Sequence, residues 1–164
     1  MTGPNRPLAL VTGASSGIGA DLARELAKDG HDLVLSARTV PAMQALAAEL
    51  ERYGATSAVI AGDLAKPGAA AELAGTLEAR GLQIDVLVNN AGLGGVGRFD
   101  QMDPQRVSDM LMINVVALTE LTRRLVSGMV ARRRATIPGA SSRVSSVNAT
   151  TLIVSMSLTR CGSI

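Results

Sequence analysis

The sequence predicts an open α/β fold: a doubly wound parallel sheet with helices on both faces, incomplete at its carboxyl end. Three observations predict it. Short apolar runs alternate with helical stripes from residue 7 to about 134, a glycine-rich turn joins the first run to the first stripe, and the alternation stops at Ala135. The 164 residues suffice for one domain with a real core and leave no room for two. A hydrophobic share of 47% against 18% charged excludes a disordered chain. With one Phe, one Tyr and no Trp, the core has to be built from Ala, Val, Leu, Ile and Met.

The elements follow in order. PLALVT (7–12) is a short apolar run ending in GASSGIG, after which Ile18, Leu22, Leu26 and Ala27 recur at helical spacing: strand, turn, helix. DLVLSA (32–37) predicts the second strand, and Met43, Leu46, Ala47 and Leu50 mark one face of the second helix. TSAVIA (56–61) is the third strand. Pro67 suits the start of the helix after it, with Ala70, Leu73, Ala74 and Leu77 as its buried stripe. IDVLVNN (84–90) is the fourth strand. A loop over 91–103 then leads to a long helix from about Pro104 to Arg133, whose stretch MLMINVVAL is apolar nearly all round. That pattern predicts burial on several sides, against the sheet and against a partner subunit. From Ala135 onward 11 of the last 30 residues are Ser or Thr and no stripe continues. A compositional boundary therefore divides one βα unit over 1–134 from an atypical tail over 135–164.

Several function classes drop out. The net charge is only +2, and the basic run RRLVSGMVARRR (123–134) falls at a helix end, where cations suit the dipole. No aromatic platform accompanies it, so a nucleic-acid partner is not expected. No apolar stretch approaches the ~20 residues that span a bilayer, so no membrane partner is expected either. Cys161 is the sole cysteine, which rules out an internal disulfide and fits a reducing, cytoplasmic setting. No metal site is expected.

VTGASSGIG places Gly13, Gly17 and Gly19 between a strand and a helix beginning near Ser16. Gly13 permits the tight turn, Gly17 lets backbone approach a phosphate, and Gly19 lets helix and strand pack closely. The N–H groups and positive dipole at that helix start suit a pyrophosphate. A P-loop would end in Gly-Lys-Ser/Thr, whereas this turn ends in Gly-Ile-Gly.

TGASSGIG (12–19), GDL (62–64), NNAG (89–92) and Asn114 within a hydrophobic helix, in this order, resemble the short-chain dehydrogenase/reductase family from about residue 7 to about Arg134. The resemblance implies a Rossmann-type sheet and an oxidoreductase acting on a small alcohol or carbonyl compound. It implies that Gly13, Ser15, Gly17, Ile18 and Gly19, with Ser16 at the helix head, line the pyrophosphate and ribose. Asp63 and Leu64 would flank the adenine, and Asn90, Ala91 and Gly92 the nicotinamide-side ribose. Asp63 as a loop starter or a helix cap is the competing reading. The long helix is similar to the family's dimerisation helix, which implies a homodimer through residues 104–133.

An NAD site carries an acidic residue at the end of its second strand, some 20 residues past the turn. Here Ala37 and Arg38 stand there, while Asp32 opens the strand at the opposite edge. NADP(H) is expected over NAD(H), with Arg38 pairing the 2′-phosphate; Arg38 as an ordinary surface arginine stays open. His31, on the wrong edge, is read as a loop residue.

In the resembled family a Ser orients the substrate carbonyl, a Tyr moves the proton, a Lys four residues on lowers the Tyr pKa, and an Asn holds a water in the proton path. Asn114 fits the last role, although an Asn satisfying a helix carbonyl has the same appearance in sequence. VSSV (144–147) offers Ser146 for the serine, with Ser142 as the other register. The Tyr-x-x-x-Lys pair is missing: its expected positions hold Thr159 and Ser163. Tyr53 and Lys28 close helices on the far side of the sheet, and Lys66 lies nearer the adenine. The sequence thus reads as a truncated or frame-shifted relative. A non-catalytic dinucleotide-binding module and an inactive fragment remain as alternatives to an enzyme.

Overall fold

The structure is a computed structural model that describes residues 6–95 and 97–133. The tail with Ser142, Ser146, Thr159 and Ser163 lies outside the described residues.

Alternate side chains of four short strands point to opposite faces, and both faces are apolar, so both must be covered. The strands are β1 (Leu8–Thr12), β2 (Asp32–Ala37), β3 (Ser57–Ala61) and β4 (Val86–Val88), all parallel in the order β3-β2-β1-β4. Helices α1 (Gly17–Lys28) and α2 (Val40–Leu50) cover one face, over Ala9, Val11, Leu33, Leu35 and Val88. Helices α3 (Ala69–Ala79) and α5 (Leu118–Arg133) cover the other, over Leu10, Val34 and Leu87. Leu10, Leu35 and Leu87 are completely buried, and each such side chain contributes roughly 1.5–3 kcal/mol. The expected doubly wound sheet is therefore present.

Chain order turns back at β1, whose two neighbours are β2 and β4. Val11 lies beside Leu35 on one side and Val88 on the other. Beyond the ends of these strands the loops diverge and leave a crevice, the usual ligand position in open sheets.

The expected stripe of α1 is displaced. Gly19, Ala20, Ala23 and Ala27 are buried, whereas Ile18, Leu22 and Leu26 are only half-buried. Close approach is the reason: a Cβ at Gly19 would overlap the Gly13 carbonyl oxygen, so only alanines fit beneath this helix. The third helix begins at Ala69 rather than at Pro67, because Gly68 takes a left-handed N-cap conformation with φ of 82°.

The long helix is α4 (Pro104–Leu111), a π-helical turn (Met112–Ala117) and α5 in unbroken succession. Within the single chain, MLMINVVAL is not buried on several sides. Leu111, Val115 and Val116 are 58%, 53% and 47% exposed, and in the π-helical turn only Ala117 is buried. An all-round apolar helix has more faces than this sheet covers.

Candidate functional site

Thr12, the last residue of β1, is a polar side chain buried at the sheet's carboxyl edge. Its hydroxyl donates to the Val88 carbonyl at 3.2 Å and accepts from the N–H groups of Asn90 and Ala91, both at 3.1 Å. The end of β4 is thereby tied to the end of β1. The Asn90 amide closes the same junction, donating to the carbonyls of Thr12 at 3.0 Å and Gly13 at 3.3 Å. Asn89 points the other way and donates to Thr122 Oγ1 at 2.8 Å, fixing β4 to α5.

The chain then turns from β1 into α1. Gly13 has φ of 68°, and a Cβ there would lie 2.8 Å from Ala91 Cα. Its N–H donates to the Ser36 carbonyl at 2.7 Å, which holds the turn against β2. Gly17 has φ of 55° with open space where a Cβ would project, so backbone there is approachable. Ser16 sits at the N-cap in extended conformation and its side chain caps nothing. The first turn of α1 therefore offers its positive end to an outside anion.

A cleft of about 290 Å³ lies over this turn. Gly13, Ser15 and Ser16 form its middle, with Arg38, Asp63 and Leu64 at one end and Asn90, Ala91 and Gly92 at the other. The cleft thus runs across the point where chain order turns back. Of the expected cofactor residues, Gly17, Ile18 and Gly19 do not line it; Gly19 is buried behind the turn and supports it by close packing. Ser36, Thr39, Leu93 and Ile113 line the cleft without having been singled out in the sequence. A polar residue closing an apolar strand, as in DLVLSA, was the available signal for Ser36.

Arg38 is exposed and makes no hydrogen bond or ion pair among the described residues. Asp32, at the other edge, accepts from Thr56 N at 2.8 Å and faces Arg6 Nε at 3.4 Å. Among the described residues no carboxylate stands at the end of β2, where Ala37 is followed by Arg38 and Thr39. Asp63 lines the cleft, and its Oδ1 accepts from Ala65 N at 3.2 Å to shape the loop.

Asn114 sits in the π-helical turn with both ends of its amide engaged. Oδ1 accepts from Leu93 N at 3.0 Å and Nδ2 donates to Leu93 O at 2.9 Å. The competing reading, a bond to a helix carbonyl, is thus replaced by a clamp on the loop after β4.

Tyr53, Lys28 and His31 lie at the strand-start edge. Arg6 joins that edge, donating to the carbonyls of Ala27 at 3.1 Å, His31 at 3.2 Å and Tyr53 at 3.5 Å. Lys66 is exposed on the turn after Asp63. No group of three or more metal-ligating side chains occurs among the described residues. No described helix is long and apolar enough to cross a membrane.

Comparison with known proteins agrees with this geometry. The family model for short chain dehydrogenases matches residues 7–154, past Arg134 and through Ser142 and Ser146. A very-long-chain 3-oxoacyl-CoA reductase from Pyrenophora tritici-repentis is 36% identical over 139 residues, 80% of this chain and 40% of that protein. Among solved structures, a bulky-bulky ketone specific alcohol dehydrogenase from Comamonas testosteroni superposes with a TM-score of 0.72 at 38% identity, covering 79% of this chain and 52% of that one. L-sorbose reductase from Gluconobacter frateurii, complexed with NADPH and L-sorbose, gives 0.72 at 33% identity over 77% of this chain and 49% of that one. The chain spans about half the length of the curated relatives it matches.

Proposed function

Because the chain belongs to the short-chain dehydrogenase family, we propose that it binds NADP(H) along the cleft and serves hydride transfer between that cofactor and a small alcohol or carbonyl compound. The observation that carries this reading is the turn itself. Gly13 and Gly17 take left-handed conformations, Gly19 packs against Gly13, and the uncapped start of α1 faces a cleft with a guanidinium at one end. That donor set fits a dinucleotide carrying a third phosphate.

The residues take the following parts. Gly13, Ser15, Ser16, Gly17, Ile18 and Gly19 form the pyrophosphate turn, Arg38 pairs the 2′-phosphate, and Asp63 and Leu64 flank the adenine. Asn90, Ala91 and Gly92 hold the nicotinamide-side ribose. The bound cofactor supplies or accepts the hydride. Asn114 fixes the wall beside it, and Ser146, with Ser142 as the other register, is the group to orient a substrate carbonyl. The binding of NADPH by a solved relative supports the cofactor choice.

Proton transfer is the weak step. The sequence contains one Tyr, Tyr53, and its two lysines are Lys28 and Lys66, so no Tyr-x-x-x-Lys pair is present. A positioned acid/base contributes about 10²- to 10⁴-fold in rate, and turnover by this chain is expected to be slower by that order. The same observation favours the second reading, a dinucleotide-binding module without catalysis of its own. A cytoplasmic setting and a homodimer through 104–133 complete the proposal; the exposed Leu111, Val115 and Val116 support the latter.

Calorimetric titration of the purified chain tests the reading. NADPH is expected to bind at least about tenfold more tightly than NADH, the difference falling in R38A, in line with a lost charge-assisted pair. Equal affinities, or no binding of either, would overturn it. NADPH consumption with a carbonyl panel separates enzyme from module.

A further inference from the structure

The cleft wall after β4 is fastened at Ala91 from β1, and at Leu93 and Gly94 from the helical segment that follows it. Thr12 accepts from Ala91 N, Asn114 takes both backbone groups of Leu93, and Arg106 Nη2 donates to the Gly94 carbonyl at 2.7 Å. Gly95 is seated on methionine: a Cβ there would overlap the Met102 methyl and lie 3.1 Å from Met110 Sδ. Arg106 is placed for its bond by the first turn of α4, where Pro104 sets the helix start and the Asp103 carboxylate accepts from Gln105 N at 2.9 Å.

Two of these fasteners hold the wall at or before Leu93, the last residue of this loop that lines the cleft. Arg106 is the one that acts beyond it. Without that bond the segment from Gly94 onward hangs from Leu93 alone and from soft, rearrangeable methionine contacts. We infer that Arg106 is a positioning residue: by holding the Gly94 carbonyl it steadies the loop where it leaves Leu93, and so the wall that the nicotinamide half of the cofactor would meet, and it has no part in binding the adenine half. This rests on the dinucleotide reading of the cleft.

The division between halves makes the inference testable on the full chain. Affinities for NADPH and for adenosine 2′,5′-bisphosphate, which lacks the nicotinamide half, are measured for wild type, R106M and R106K. R106M is expected to weaken NADPH about 3- to 10-fold, the worth of one surface hydrogen bond, with the bisphosphate unchanged. R106K, which keeps a cationic donor, is expected to recover most of the loss. Amide exchange at Leu93, whose N–H donates to Asn114 Oδ1, is expected to rise in R106M while α1 is unaffected, a readout that needs no ligand. Equal weakening of both ligands, no change in either, or unchanged exchange at Leu93 would overturn the role. Failure of wild type to bind either ligand would instead overturn the dinucleotide reading, and the inference with it.

Discussion

Thr12 Oγ1 is one atom joining three backbone groups 76 to 79 residues away in sequence, so the geometry of the cleft depends on it directly. Replacing it by valine keeps the shape and removes the acceptor, leaving the Ala91 N–H unpaired and the Asn90 N–H with the Val88 carbonyl alone at 3.1 Å. T12V is expected to lower unfolding free energy by about 1–3 kcal/mol in a urea titration, with T12S close to wild type. Gly19 has a different sensitivity. A methyl there meets the Gly13 carbonyl and the Asn90 amide, neither of which can yield cheaply. G19A is therefore expected to cost about 1–3 kcal/mol and to weaken NADPH binding, checked by denaturation and titration of the same preparation. The glycines were legible because only this residue type tolerates such a turn. Thr12's bonds were not, since nothing local in TGASSG announces partners across the sheet. Asn114 was legible as a residue of interest, but its partner Leu93 became known only with the loop placed.

At the scale of elements, α1 and α2 are strapped together by Arg24, which meets Glu49 through two bonds of 3.0 and 2.9 Å. Arg52 adds a third contact to the same carboxylate at 2.9 Å. The Arg24 hydrogen bond holds the Glu49 carboxyl below its ordinary range and pushes the Arg24 guanidinium up. A carboxyl depressed in the folded state stabilises the fold above its unfolded value, and that contribution disappears as pH falls through the folded value. E49Q is thus expected to be less stable than wild type at neutral pH, with the gap closing through the acidic carboxylate range. Denaturation midpoints at a series of pH values check it, and high salt should shrink the gap at neutral pH.

Strands and helices were legible to within two or three residues because period-2 and period-3.6 patterns reflect burial on one face. The helix over 104–133 was the exception in its packing. Apolar periodicity cannot distinguish a face covered by the sheet from one left for another molecule, and here Leu111, Val115 and Val116 are left open. If a second copy covers them, V115E should shift sedimentation toward monomer without lowering the thermal midpoint. An unchanged sedimentation coefficient would count against that interface.

For the whole molecule, strand polarity decides where chemistry can occur. All four strands end at the same edge, and the turn of chain order at β1 opens the cleft there. This was legible from the βα alternation alone, including the placement of Tyr53, Lys28 and His31 at the opposite edge. What the sequence did not convey is how completely the cleft's floor and wall are pre-arranged by bonds between segments far apart in the chain. A pre-arranged site lowers ordering costs, so a dinucleotide bound as proposed would meet a turn already in its bound shape.

The most direct measurement is an NADPH titration of the isotopically labelled chain followed by amide NMR. Shifts are expected on Gly13, Ser15 to Gly19, Arg38 and Asn90 to Leu93, with the strand-start edge around Arg6 and His31 unmoved. Shifts spread over that opposite edge, or none at saturating cofactor, would contradict the dinucleotide reading of the cleft.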